Sequence, residues 1–254
     1  MIYELSDTSK AALFEGWQES MILSCLQKIM GKILVTDLTA PKAALAFAGC
    51  FGFYAGEPDG ELVRNKPDGL TIMVPRTEDW AKLIESVFPA ARKVTRYAIK
   101  KDTKFNKEAL LKNISELPAG YELVKINAEL YDKCLLSPAT ADFVSSFDNK
   151  EHFLKMGRGV VILKNGEIVS GASSYSRYNE GIEIEVDTVK AERRKHLALA
   201  ACSALILRCL EEGLYPSWDA QNMASVHLAE KLGYELDREY TAYEIDITSG
   251  ILLK

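Results

Sequence analysis

The sequence predicts an α+β protein, and three observations lead to that class. Short segments of alternating apolar and polar residues, the signature of strands, are interleaved with segments of helical period. Two tight-turn signals, Lys164-Asn165-Gly166-Glu167 and Tyr178-Asn179-Glu180-Gly181, join three consecutive strands in an antiparallel run. A long and nearly all-apolar helix comes after those strands, so it must be buried against a sheet.

The 254 residues suit two ordinary domains or one large one, and 48% hydrophobic with 26% charged residues is the balance of a globular protein with a core. A helical stretch covers residues 9–30 and is ended by Gly31. Extended segments lie at 33–38, 43–54 and 70–74, then a helix at 77–87 for which Thr77 is a suitable N-cap. A strand at 94–99 and a helix at 105–117 complete a region with no catalytic motif. Its glycine-rich run, residues 49–56, is not succeeded by the lysine and Ser/Thr of a phosphate loop and reads as a packed strand or bend. The turn Leu117-Pro118-Ala119-Gly120 is the expected boundary, giving an N-terminal α+β domain at 1–118 and a second domain at 119–254.

In the second domain a strand at 121–126 precedes short helices at 127–134 and 150–156. The Asn165-Gly166 pair supplies the two positive-φ residues of a type I′ turn between strands 160–163 and 168–171, and a third strand runs over 182–188. A helix at 193–212 ends at Gly213, a residue suited to the left-handed C′ position. A short strand at 217–220, a helix capped by Asn222 and ended by Leu232-Gly233-Tyr234, and a strand at 239–247 close the order β, α, α, β, β, β, α, β, α, β.

The net charge of −5, without a long basic run, argues against a nucleic-acid partner. Acidic residues precede any apolar stretch at the N-terminus, and residues 43–56 are too short and glycine-rich to span a bilayer, so a cytoplasmic location with no membrane partner is expected. Five scattered cysteines without a Cys-x-x-Cys pair read as buried thiols, three histidines lack ligand spacing, and no metal is expected.

The chemistry is expected where a strand ending near Thr188 meets a helix beginning within Arg193-Arg194-Lys195-His196-Leu197-Ala198. Free amides at a helix N-terminus and neighbouring cations attract a diphosphate. On charge alone, a solvated basic loop is the competing reading. This stretch resembles the acyl-CoA loop of the GNAT superfamily, whose pattern is Gln/Arg-x-x-Gly-x-Gly/Ala, with Arg193 in the first place and Ala198 in the last. Pro216-Ser217-Trp218-Asp219-Ala220-Gln221-Asn222 and Ala229-Glu230-Lys231-Leu232-Gly233-Tyr234 resemble that superfamily's fifth strand and the helix after it, and the strand order from Tyr121 onward matches too. Within the superfamily the chain is most similar to the bacterial group that includes the zwittermicin A resistance protein, along its whole length and more weakly before Gly120.

The resemblance implies a central mixed, mostly antiparallel sheet flanked by helices. It implies transfer of the acetyl group of acetyl-CoA to a primary amine of a small-molecule acceptor, by direct attack in a ternary complex. Donor contacts then fall to Val186, Thr188, Arg193, Arg194, Lys195, His196, Leu197, Ala198 and Asn222. Glu183 or Glu185 becomes the general base, and Trp218 and Asp219 lie on the acceptor side. Two departures from the family pattern stand out. Arg194 and His196 replace the usual glycines beside the diphosphate, and Ala229 stands where a tyrosine usually protonates the leaving thiolate, leaving Tyr234, Ser225 or Tyr243 as substitutes.

Plainer readings remain open at each position. Glu183 and Glu185 also fit the solvent half of a strand whose apolar half is Ile182, Ile184 and Val186. Trp218 fits core packing, His196 a surface residue and His227 a helix face. The altered loop and absent tyrosine also suit a non-catalytic acyl-CoA-binding or sensor protein. The N-terminal region is left with three roles: covering the acceptor cleft, forming a homodimer surface, or being a degenerate relative of the C-terminal fold.

Overall fold

The computed structural model describes residues 1–8 and 11–247. Its contacts divide the chain into two units, Met1–Arg96 with Glu239–Lys254, and Tyr97–Arg238.

The first unit contains β1 (Tyr3–Glu4), α1 (Ser20–Leu26), β2 (Lys32–Val35), β3 (Ala43–Ala48), β4 (Phe51–Gly56), α2 (Gly60–Arg64), β5 (Gly69–Pro75) and α3 (Glu78–Val87). The expected 9–30 helix starts outside the described residues. Within them it is divided into a 3-10 turn at Ala12–Phe14 and α1, because Gly16 takes φ +73° between the two and breaks the helix. The expected 43–54 strand is a hairpin of β3 and β4, paired from Ala43↔Gly56 to Ala48↔Phe51. The five-residue α2 was not anticipated, being too short to show a period. Asp59 Oδ1 caps it, accepting from the amides of Glu61 and Leu62 at 2.8 and 3.2 Å. Thr77 caps α3 as expected. The core packs Tyr54, Trp80 and Tyr243, all fully buried, and the Trp80 indole donates to the Gly56 carbonyl at 2.8 Å.

Strand β6 (Arg92–Ile99) carries the chain into the second unit. That unit continues with α4 (Lys107–Ser115), β7 (Tyr121–Lys125), α5 (Ala128–Leu135), α6 (Lys150–Met156), β8 (Gly159–Lys164), β9 (Glu167–Tyr178), β10 (Gly181–Thr188), α7 (Leu197–Glu211), β11 (Tyr215–Ser217), β12 (Asp219–Ala220) and α8 (Met223–Lys231). The sheet order is β11-β10-β9-β8-β7, antiparallel throughout except for the parallel β10–β11 pair. The β8–β9 turn has Asn165 at φ 51° and Gly166 at φ 80°, as the sequence predicts. Gly181 admits no side chain, since a Cβ there would lie 2.1 Å from the Tyr215 carbonyl oxygen of the parallel neighbour. α7 is the central helix, with Leu197, Ala201, Leu205 and Ile206 buried in one cluster with Val160, Ile162, Ile182 and Ile184 of the sheet.

Two boundaries differ from expectation. The 118/119 division falls inside the second unit, because α4 packs on α7: Leu110 is buried in that unit's core, and Asn113 Nδ2 donates to Ser203 Oγ at 3.1 Å. The last strand, β13 (Leu236–Ile247), does not close the second unit. From Glu239 onward it belongs to the first, pairing antiparallel with β5 through Tyr243↔Met73 and Glu244↔Ile72. Among the described residues no helix is long and apolar enough to cross a membrane, and no cluster of three or more His, Cys, Asp or Glu could hold a metal ion.

Candidate functional site

Strands β10 and β11 pair only as far as Glu183↔Ser217, while β10 runs on to Thr188. Past that point the chain after β11 turns aside: Asp219 and Ala220 pair with Ala98 and Tyr97 of β6 instead. The two strands therefore part, and the edge of β10 beyond Glu183 faces the opening. At its far end the backbone of Thr188, an expected donor contact, is already engaged: its amide donates to Asp187 Oδ1 at 2.6 Å and its carbonyl accepts from Arg193 Nε at 2.9 Å. The stretch from Ile184 to Val186 is left without a neighbouring strand on that side, and its edge groups need hydrogen-bond partners.

A cavity of about 530 Å³ lies beside that opening. Its walls are the end of β10 at Val186 and Thr188, the loop at Arg194 and His196, the first turn of α7, and the face of α8 from Asn222 to Lys231. The loop is not helical, contrary to expectation. α7 begins at Leu197, four residues later than expected, because Arg194 (φ 63°) and His196 (φ 62°) hold left-handed conformations. Both residues stand where the resemblance puts glycines beside the diphosphate, His196 at the fourth place of the quoted pattern, and the backbone keeps a glycine-like path without them. Each such residue costs roughly 1–2 kcal/mol. Accordingly, His196→Gly should leave stability unchanged or raise it by up to about 1 kcal/mol, and His196→Val should lower it by about 1–2 kcal/mol. Denaturant midpoints measure both; a stable His196→Val variant would contradict the strained loop.

No side chain caps α7: His196 sits at the N-cap without bonding a helix amide. The amides of Leu197, Ala198 and Leu199 thus open the helix toward the cavity that these residues line.

The cations of the loop divide sharply. Arg193 donates from Nε to the Thr188 carbonyl at 2.9 Å and from its other end to Asp187 Oδ1 at 3.2 Å, so it ties the end of β10 to the loop. Lys195 does not line the cavity. It bonds Glu192 at 2.6 Å, within a group where Glu192 also accepts from Lys164 at 2.8 Å and from the Tyr121 hydroxyl at 2.5 Å. Hydrogen bonds from Lys164, Lys195 and Tyr121 push the Glu192 carboxyl down to about 2. Arg194 and His196, both exposed, line the cavity.

The two glutamates lie on the face of β10 opposite Ile182 and Ile184, and neither lines the cavity. Glu183 is not solvent-facing as simple alternation suggests: it is 5% exposed, between Ser176 and Ser217 in register, both of them buried. Glu185 is half-buried opposite Ser173. A 3-10 turn at Ala141–Phe143 packs on this face, with Ser173 Oγ donating to the Phe143 carbonyl at 2.5 Å.

Tyr234 is not brought to the cavity. It is 3% exposed, its hydroxyl donates to the Pro216 carbonyl at 2.6 Å, and burial holds its pKa well above the usual tyrosine range. Tyr243 belongs to the first unit and donates to Glu85. Ala229 is fully buried in the α7 core. Ser225, by contrast, lines the cavity, and its Oγ accepts from the Trp218 indole at 3.1 Å, which leaves the hydroxyl proton free to be donated elsewhere. Trp218 is 3% exposed and packs 5.6 Å from the Tyr234 ring, so core packing is its observed setting. Asp219 is half-buried in β12 and does not line the cavity. Asn222 caps α8 through Oδ1, bonded to the Ser225 amide at 3.0 Å, and lines the cavity as well. Lys231 and His227 also line it. Sequence reading passed over Lys231 and took His227 as a mere helix face, although both share the helical repeat of Ala224 and Leu228.

The model of the GNAT acetyltransferase family matches residues 11–243, and so spans both units. The uncharacterized N-acetyltransferase YdfB of Bacillus subtilis (strain 168) is 31% identical over 139 residues; that is 52% of this chain and 51% of YdfB, so the chain spans about half the length of this curated relative. A crystal structure of a GCN5-related N-acetyltransferase-like protein from Streptococcus suis 89/1591 is 46% identical and superposes with a TM-score of 0.90, over 94% of this chain and 98% of that one. A GCN5-related N-acetyltransferase from Kribbella flavida shares the fold at 17% identity, with a TM-score of 0.53 over 98% of each chain.

Proposed function

This chain belongs to the GNAT acetyltransferase family, a family of acyltransferases, and we propose that it transfers the acetyl group of acetyl-CoA to a primary amine of a small-molecule acceptor. One observation carries the reading: the uncapped N-terminus of α7 opens on a cavity beside the parted strands β10 and β11. The amides of Leu197, Ala198 and Leu199, with the loop cations, suit the donor's diphosphate. The edge of β10 between residues 184 and 186 suits the amide groups of the pantetheine arm, which bond it as an added strand would. Asn222 offers its side-chain NH₂ to the same arm.

In the reaction the acceptor nitrogen attacks the thioester carbon, and a β10 amide polarises the carbonyl oxygen. Glu183 takes the proton from nitrogen, directly or through water, with Glu185 the second candidate. The C–S bond then breaks, and the thiolate accepts a hydrogen bond from the Ser225 hydroxyl before taking a proton from solvent. Of the three hydroxyls considered as substitutes for the missing tyrosine, Ser225 is the one that lines the cavity. On this reading Trp218 positions Ser225, and Lys195 acts on the donor indirectly, by fixing the loop through Glu192.

The experiment is incubation with acetyl-CoA and a panel of small amines while free thiol is monitored. Thiol release that depends on the amine is expected. Binding of CoA without turnover on any amine would favour the acyl-CoA sensor, which the buried Ala229 at the usual tyrosine place also suits.

A further inference from the structure

CoA carries phosphate in two places, a diphosphate in its linker and a monoester on the ribose. The first turn of α7 answers to the diphosphate alone. The acids that line the cavity are already engaged: Asp187 by Arg193 at 3.2 Å, and Glu192 by Lys164 and Lys195 at 2.8 and 2.6 Å. Arg194 and Lys231 line the same cavity and have no ion-pair partner among the described residues. Lys231 and His227 stand one helical turn apart on α8, both exposed at the cavity's rim, with Leu228 and Ala224 as the apolar surface beside them. Two cations and an imidazole from two elements thus line one cavity next to an apolar wall, a combination that suits a purine nucleotide bearing a terminal phosphate.

We propose that Arg194, His227 and Lys231 form a second anion subsite that binds the ribose 3′-phosphate of the donor, with the adenine against the Leu228 and Ala224 face. The proposal rests on the acetyl-CoA reading above and extends it to His227 and Lys231, which lie outside the family's loop pattern. A phosphate monoester is close to a dianion at neutral pH and presents three acceptor oxygens, so charge-assisted hydrogen bonds from Arg194 and Lys231, with a hydrogen bond from the His227 ring, add affinity that a donor lacking the group cannot gain.

The test is calorimetric titration of the full chain with CoA and with 3′-dephospho-CoA at low ionic strength. The wild-type protein should bind CoA about tenfold or more tightly than dephospho-CoA. The ratio should shrink as salt is raised, because the subsite lies at the rim. The doubly substituted His227→Gln/Lys231→Gln protein, changed only at exposed positions, should bind CoA several-fold more weakly and dephospho-CoA with unaltered affinity. Arg194→Gln should weaken both ligands and still narrow the ratio. Equal wild-type affinities for the two ligands, or a ratio untouched by the double substitution, would overturn the subsite and leave the acetyl-CoA reading standing. Failure of both ligands to bind the wild-type protein would overturn the two together.

Discussion

Glu183→Gln should lower kcat for amine acetylation by about 100-fold or more while leaving CoA affinity close to wild type. Glutamine keeps the shape and the hydrogen-bonding reach of the glutamate and removes its capacity to accept a proton, so packing between Ser176 and Ser217 is preserved. The residue is 5% exposed, and a carboxylate is seldom buried to that degree without a role. It also stands at the last pair before β10 and β11 separate, where the proposed binding mode would bring the thioester to the interior. Glu185 is half-buried and one register step deeper into the opening, so Glu185→Gln should cost less. The acid limb of the wild-type pH–rate profile should disappear in Glu183→Gln, which a purely structural role would not produce. Near-wild-type rates for both variants would remove the strand from the proton-transfer step.

The second large effect concerns the donor. Ala198→Asp should weaken CoA binding about 30-fold or more, a loss of roughly 2 kcal/mol from a negative charge set beside the diphosphate. Aspartate in the first turn of a helix interacts favourably with the free amides, so the folded protein should be as stable as wild type or more so. Opposite signs for stability and affinity distinguish competition for the helix amides from general damage, since damage lowers both. Unchanged CoA affinity in a well-folded Ala198→Asp protein would show that the nucleotide binds elsewhere.

Local chemistry made much of this fold legible. The Asn165-Gly166 turn, the caps at Thr77 and Asn222, and the glycine end of α7 each act within a few residues of themselves, and each was found where the sequence suggests. The failures are long-range. Nothing near residue 239 indicates that the last strand pairs with β5, some 170 positions earlier, because strand partners are chosen by the whole sheet. Alternation along β10 correctly divides its two faces, yet it cannot reveal that the turn at Ala141–Phe143 packs on the polar one, nor that Glu183 on that face is buried.

The loop was legible in part. Its composition pointed to an anion site, but Arg194 and His196 occupy left-handed positions that sequence reserves for glycine, so the start of α7 was placed too early. For the same reason the run of cations could not be sorted by role. Arg193, Arg194 and Lys195 are consecutive, yet Arg193 ties down the strand while lining the cavity, Arg194 lines it without an ion-pair partner among the described residues, and Lys195 joins the Glu192 network.

All of these expectations depend on a nucleotide diphosphate seated at the start of α7. A crystal structure of the protein with CoA tests that point most directly. The diphosphate oxygens should lie within hydrogen-bonding distance of the amides of Leu197, Ala198 and Leu199, with the pantetheine arm running along residues 184–186 of β10. A well-ordered CoA bound away from those amides, with the space between β10 and β11 closed, would contradict the account.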